Sequence, residues 1–264
     1  MRRLPLEPGE GLVPFAPAAT RSLSVFGNLV ELVFVPERSK RPDRATAQRP
    51  AFAHSPASRI THAEAVWRDT EFVLTPNRYP FAAQQRLLWP ARPQREPDAA
   101  LWFCAAEWTD RAHGSALYNQ VGAAATIARC HVHLVPERQP FLPSLPEHPC
   151  TLDLIELPAG AQLLRKDVPF CLLGVRGSAP ARAAALVLLA EARLVATCNV
   201  VLQDDVAWIY PRRLETPSPH FPWALGAAEL WGRWCFQDEA VFAAASGEQL
   251  EQALITAGMP ALPQ

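Results

Sequence analysis

The segment Ala128–Arg138 reads A-R-C-H-V-H-L-V-P-E-R. In an extended chain, successive side chains alternate between faces. Arg129, His131 and His133 then share one face, and Cys130, Val132 and Leu134 share the other, an apolar row suited to a core. A helix would set residues i and i+2 about 200° apart and scatter the three polar groups. The β-branched content and Pro136 also favour a strand. Alternate residues of a strand stand ~6.6–7 Å apart, so a guanidinium and two imidazoles project in a row. Two imidazoles can do nucleophilic or acid–base work, and a guanidinium pairs with phosphate. Just upstream, Gly122-Ala-Ala-Ala-Thr126-Ile-Ala offers small residues beside which a ligand can approach the backbone closely. Spacing alone leaves three readings open. They are a phosphate-handling site, a metal site using His131 and His133 with His113 or a carboxylate as third ligand, and a half-exposed strand with no chemistry.

Composition sets the class of scaffold that must hold this row. A chain of 264 residues and 29.1 kDa makes one large domain or two small ones. With 49% apolar and 19% charged residues it is not a disordered chain. A net charge of −1 argues against a wholesale nucleic-acid or anionic-membrane binder. No apolar run is long enough to span a bilayer, and MRRLPLEPGEGLVPF lacks the continuous apolar stretch of a secretory signal. Of the 25 basic residues, only Lys40 and Lys166 are lysines. The 6 cysteines form no CxxC and read as buried free thiols in a reducing compartment, so a soluble cytoplasmic protein is expected.

The elements follow from periodicity and punctuation. Ser22–Val35 reads as one or two strands, and the polar, Pro-rich stretch Pro36–Arg59 as a long loop, either a solvated surface excursion or a segment that folds over an anionic ligand. Glu71–Leu74 and Arg86–Trp89 read as strands around an irregular turn with Pro76, Asn77 and Pro80. Pro97–Ala112 reads as a helix capped by Asp98 and stopped near Gly114. In the second half, TLDLIEL and PFCLLGV read as strands. Ser178 and Pro180 open a helix with a cationic last turn, and a hairpin turns at Asp204–Asp205. Ser246 and Gln249 cap a last helix that ends at Gly258 and Pro260. Strands without a regular βαβ rhythm favour an α+β fold with antiparallel pairing. The expected organisation is N-terminal strands and a polar loop over 1–60, a core over 61–150, and an α+β extension over 151–264 packed on it.

The run T-I-A-R-C-H-V-H-L-V-P resembles the active-site strand of the histidine-triad superfamily, and particularly its transferase and phosphorylase branch. That branch includes galactose-1-phosphate uridylyltransferase, diadenosine tetraphosphate phosphorylase and GDP-hexose phosphorylase. In the better register Arg129 takes the first motif position, His131 the middle and His133 the third. Thr126 then stands where the family has Ser, and Asn119 where the phosphorylases carry Asn. Pro76-Asn77-Arg78-Tyr79-Pro80-Phe81 resembles the family's Asn-Lys/Arg-Phe/Tyr-Pro turn. Cys198-Asn199-Val200-Val201-Leu202, Tyr210-Pro211-Arg212-Arg213 and the Gly226–Gly232 run with Glu229 resemble its C-terminal elements, in the family's order. Two positions depart from the pattern: Arg129 replaces the first His, and His133 matches the hydrolase branch rather than the Gln of the transferases. The zinc-binding cysteine pattern of some uridylyltransferases is also missing.

The resemblance implies a histidine-triad-like antiparallel sheet with packed helices, extended by a C-terminal strand and helix region. It implies nucleotidyl transfer from a nucleoside diphosphate sugar or dinucleoside polyphosphate through a covalent nucleotidyl-His131. His133 and Thr126 would assist at phosphorus, and Arg129, Asn77, Asn119, Arg78 and Arg213 would bind substrate. The acceptor would be inorganic phosphate, a sugar phosphate or water, with no cofactor, no metal, no nucleic acid and no membrane. Relatives often pair, so the resemblance admits a homodimer, although nothing in this sequence marks an interface. A nucleotide hydrolase, a metal-dependent hydrolase on His131 and His133, and a non-catalytic nucleotide-binding relative stand as alternatives.

Overall fold

Two positive-φ residues, Phe26 (φ 47°) and Gly27 (φ 75°), make the tight turn of a hairpin between β1 (Ala19–Val25) and β2 (Asn28–Phe34). The structure, a computed structural model, describes residues 3–7, 11–40, 57–153, 155–191 and 197–262. After a 3-10 turn at Pro36–Lys40 come α1 (Ala57–Ala63), β3 (Trp67–Arg68), β4 (Phe72–Pro76), β5 (Arg86–Pro90) and α2 (Ala99–Ala112). Then follow β6 (Ser115–Asn119), β7 (Val132–Val135), α3 (Phe141–Ser144), β8 (Glu147–Pro149), β9 (Gln162–Lys166), β10 (Leu173–Arg176) and α4 (Ala179–Glu191). The chain closes with β11 (Cys198–Gln203), β12 (Val206–Pro211), α5 (Ala227–Trp231), β13 (Arg233–Phe236), α6 (Glu239–Ala244) and α7 (Gly247–Ala257). Among the described residues no helix is long and apolar enough to cross a membrane.

Ten strands form one antiparallel sheet in the order β3-β4-β5-β7-β6-β11-β12-β10-β9-β8, so strands from both halves of the chain share it. A second sheet, β1-β2-β13, pairs β13 parallel to β2. One face of the large sheet packs on α2 and α4 through Cys130, Val132, Leu134, Leu101 and Leu186. The other face meets β1, β2 and the C-terminal helices through Leu117, Val135, Trp231 and Trp234. Asp98 caps α2 by accepting from the Leu101 N–H at 2.9 Å, and His113 ends it at φ 49°. A Cβ on the next residue, Gly114, would sit 2.5 Å from the Val135 carbonyl, so only glycine lets β6 start this close to β7.

Two expected strands are corrected. The expected strand over Ala128–Arg138 is paired only from Val132 to Val135, because the chain bends at 126–129, where Arg129 anchors it to neighbouring carbonyls, and pairs with no strand until Val132. TLDLIEL, at 151–157, forms no strand among its described residues. Most of the expected loop after Pro36 (41–56), and the cationic end expected for α4, lie outside the described residues.

Buried arginines tie the loops to this frame. Arg86 donates to the carbonyls of Pro5, Leu6 and Glu7 and holds the N-terminal segment. Arg212 donates to Asn199 Oδ1 at 2.5 Å and to the carbonyls of Leu225, Leu214 and Glu215 at 2.6, 2.8 and 2.9 Å. Its neighbour Arg213 is exposed and reaches the Thr256 carbonyl. Removing a buried donor from several acceptors costs each of them a desolvated, unpaired state. Arg212→Ala is therefore expected to lower unfolding stability in urea by more than about 3 kcal/mol. Arg213→Ala is expected to cost under about 0.5 kcal/mol; equal losses would show that Arg212 is not the hub.

Candidate active site

A cavity of about 570 Å³ opens where the ends of β4–β7 meet the loop before α5 and the end of β13, a size suited to a nucleotide-sized ligand. His131 and His133 line it together with Asn77, Arg78, Asn119, Thr126, Arg38 and Glu229. The two imidazole centroids stand 5.2 Å apart. Register explains the second ring: His133 lies opposite Leu87 on β5 and Leu117 on β6, so it projects to the face away from α2.

The hydrogen bonds give the rings opposite tautomers. Nδ1 of His131 lies 3.0 Å from the Arg129 carbonyl. A carbonyl only accepts, so Nδ1 carries the proton and Nε2 the lone pair. His131 is 7% exposed and stacks on Trp89 at 4.3 Å and 28°, and the Trp89 indole N–H is itself fixed by Thr75 Oγ1 at 2.9 Å. For His133 the partner is Gln85. The Phe81 N–H donates to Gln85 Oε1 at 2.9 Å, which turns the amide Nε2 onto His133 Nδ1 at 2.8 Å. An amide NH₂ only donates, so Nδ1 accepts and the proton of the neutral ring sits on Nε2. One ring is built to offer a lone pair and the other a proton.

Asn119 has its amide oriented too. Its Oδ1 accepts from Asn199 Nδ2 at 2.8 Å and from the Ala227 N–H at 2.7 Å, so its NH₂ is the group left for a ligand. Asn77 Oδ1 accepts from the Tyr79 N–H at 3.1 Å, the turn role that its sequence context suggested, and its side chain also lines the cavity. Arg78, at the rim, pairs with Glu64 at 2.6 Å. Thr126 follows Ala124, which stands at φ 71° in the turn that brings 124–127 to the cavity wall.

Two expected substrate contacts are placed elsewhere. Arg129 is 3% exposed and does not line the cavity; its guanidinium donates to the carbonyls of Pro90 and Ala91 and to Thr61 Oγ1, and lies over Trp89. The bend before Val132 rotates it off the imidazole face, so the shared row ends at His131. Arg213 also lies off the cavity. His113, the third ligand of the metal reading, caps α2 instead, and among the described residues no three His, Cys, Asp or Glu gather as metal ligands.

Several lining residues escaped the sequence reading. Arg38 is 7% exposed, donates to the Tyr79 carbonyl, and belongs to the stretch read as a long polar loop. Glu229, named in the sequence only within the Gly226–Gly232 run and left at the surface by its amphipathic pattern, is buried and accepts from the Gly226 N–H at 2.7 Å. Glu215 accepts from the Ala124 N–H at 2.9 Å. Trp89 and Gln85, which hold the two imidazoles without lining the cavity, carried no signal beyond their places in and beside a strand.

No protein-family model matches the sequence, and no curated protein matches it. Solved structures do. Yeast Ap4A phosphorylase Apa2 superposes with a TM-score of 0.66 at 16% identity, over 93% of this chain and 91% of that one. The same protein in complex with Ap4A gives 0.63 at 15% identity, over 93% and 90%. In complex with AMP it gives 0.63 at 15%, over 92% and 89%. At such identity the likeness is one of fold. It extends over nearly the whole of both chains, and this protein shares the α+β fold of that Ap4A phosphorylase, an antiparallel sheet with helices packed around it.

Proposed function

We propose that this protein is a nucleotidyltransferase of the phosphorylase type, acting on a nucleoside diphosphate sugar or a dinucleoside polyphosphate. The observation that carries the reading is the His131 Nδ1–H held by the Arg129 carbonyl at 3.0 Å within a nucleotide-sized cavity. It fixes the tautomer of the neutral ring, with the lone pair on Nε2, and aims a nucleophile. The fold neighbour is named as a phosphorylase, and its recorded complexes are with Ap4A and AMP.

In the proposed reaction His131 Nε2 attacks the α-phosphorus in line with the leaving group, a sugar phosphate from a nucleotide sugar or a nucleoside polyphosphate from a dinucleoside polyphosphate. A P–N bond forms as the P–O bond breaks. An acceptor then reverses the step: phosphate in a phosphorylase, a sugar phosphate in a transferase, water in a hydrolase. The His133 Nε2–H and the Thr126 hydroxyl donate to non-bridging oxygens, and the Arg38 guanidinium offsets their charge. The amide hydrogens of Asn77 and Asn119 meet ribose or phosphate oxygens, and Arg78 reaches the distal end of the substrate. Arg129 acts through its backbone carbonyl and its grip on the bend, in place of the side-chain role first expected for it.

Intact-mass spectrometry after mixing with a panel of nucleoside diphosphate sugars and dinucleoside polyphosphates tests the reading. One nucleoside monophosphate should add to the wild-type chain and none to His131→Ala, whose turnover should fall by about 10³-fold or more. An adduct that survives in His131→Ala and disappears in His133→Ala would move the nucleophile by two residues.

Thiol chemistry gives a second check. Burial pushes the Cys104, Cys130 and Cys198 thiols up to about 12 and that of Cys171 up to about 11, so near pH 8 these four hold almost no thiolate. Alkylation should begin at the half-buried Cys150 and Cys235. Because Cys235 lines the cavity, a bound nucleotide sugar should slow its alkylation and leave the Cys150 rate unchanged. Equal protection of both would place the ligand elsewhere.

A further inference from the structure

We infer that Gln85 is a positioning residue that fixes His133 as a hydrogen-bond donor, denies it the role of general base, and so favours an ionised acceptor over water. The inference rests on the functional reading of the site above. Gln85 is 2% exposed and has no freedom to flip its amide. The Phe81 N–H holds its oxygen, and the Phe81 carbonyl in turn accepts from Arg233 Nη1 at 3.2 Å. Arg233 is anchored by Glu137 at 2.6 and 3.0 Å and by Glu31 at 2.6 Å. The Phe81 ring also packs against both His133 (5.6 Å) and Trp231 (6.2 Å). The side of Gln85 that meets His133 therefore presents N–H bonds only.

The consequence is chemical. To resolve a nucleotidyl-His131 with water, a base must take a proton as the new P–O bond forms and the P–N electron pair returns to Nε2. His133 Nε2 already holds its proton. Accepting another would require the ring to carry hydrogen at Nδ1, directly against the Gln85 NH₂ at 2.8 Å. Phosphate or a sugar phosphate attacks through an oxygen that is already anionic and has no proton to lose. The other carboxylates lining the cavity hold structural bonds: Glu215 to the Ala124 N–H, Glu229 to the Gly226 N–H, Asp238 to the Val241 N–H, and Glu64 to Arg78.

Gln85→Glu tests this with an isosteric change. One carboxylate oxygen can keep the Phe81 N–H, while the other accepts a proton from Nδ1 and frees the Nε2 lone pair. Gln85→Met, which removes both bonds, serves as the second variant. Two-bond proton–nitrogen spectra of the histidine rings, with His133→Asn to assign the signal, should show hydrogen on His133 Nε2 in the wild type and on Nδ1 in Gln85→Glu. In parallel, the ratio of nucleoside monophosphate to diphosphate formed in the presence of inorganic phosphate should rise about tenfold or more in Gln85→Glu. Gln85→Met should lie between the two proteins. A wild-type His133 protonated at Nδ1 overturns the assignment whatever the activity. A product ratio unchanged in Gln85→Glu while the tautomer flips overturns the link to acceptor choice. A wild-type chain that takes no nucleotidyl group strikes the functional reading, and acceptor choice with it, while the spectrum still decides the tautomer.

Discussion

A neutral imidazole has one proton to place, and whatever holds that proton decides what the other nitrogen can do. Here a backbone carbonyl two residues upstream holds it for His131, at 3.0 Å, and the ring is pressed flat against Trp89. The carbonyl is in position only because the chain bends at 126–129 before entering β7. That bend persists because the Arg129 guanidinium is tied to the carbonyls of Pro90 and Ala91 at the end of β5. The residue that departs from the expected histidine motif thus secures the orientation on which the proposed chemistry depends.

The same device recurs around the cavity. Arg38, Arg86, Arg129, Arg212 and Arg233 are each at most 7% exposed, and each donates to at least one main-chain carbonyl. Irregular segments that frame a site leave carbonyls without ladder partners. A planar fork with five donors can satisfy several of them at once, which the point charge of a lysine does less well. A chain with only two lysines therefore uses its arginines partly as internal struts. The charge is buried at a desolvation cost, offset by charge-assisted hydrogen bonds.

Much of this was legible in the sequence where a local pattern has a single physical meaning. The apolar alternation of Cys130, Val132 and Leu134 placed them on the α2 face of the sheet. Asp98, Ser246 and the Asp204–Asp205 turn marked element ends that the structure keeps. His131, His133, Thr126, Asn77, Asn119 and Arg78 do converge on one cavity. What stayed hidden is what contacts distant in sequence decide. Gln85 meets His133 across 48 residues, and Arg233 reaches Phe81 across 152. Alternation also predicted Arg129 on the imidazole face, and it failed because a bend, not a strand, carries that residue. Likewise Arg212 and Arg213 are adjacent, and only tertiary contacts single out the first as the buried hub.

The central claim is that His131 offers Nε2, and Nε2 alone, to phosphorus. Phosphorus NMR of the trapped adduct, made on protein labelled with nitrogen-15 in its histidine rings, tests this most directly. The account predicts a one-bond phosphorus–nitrogen coupling to Nε2 of a single ring, lost with the adduct when His131 is replaced by alanine. Coupling to an Nδ1 nitrogen, or to the ring of His133, would contradict it.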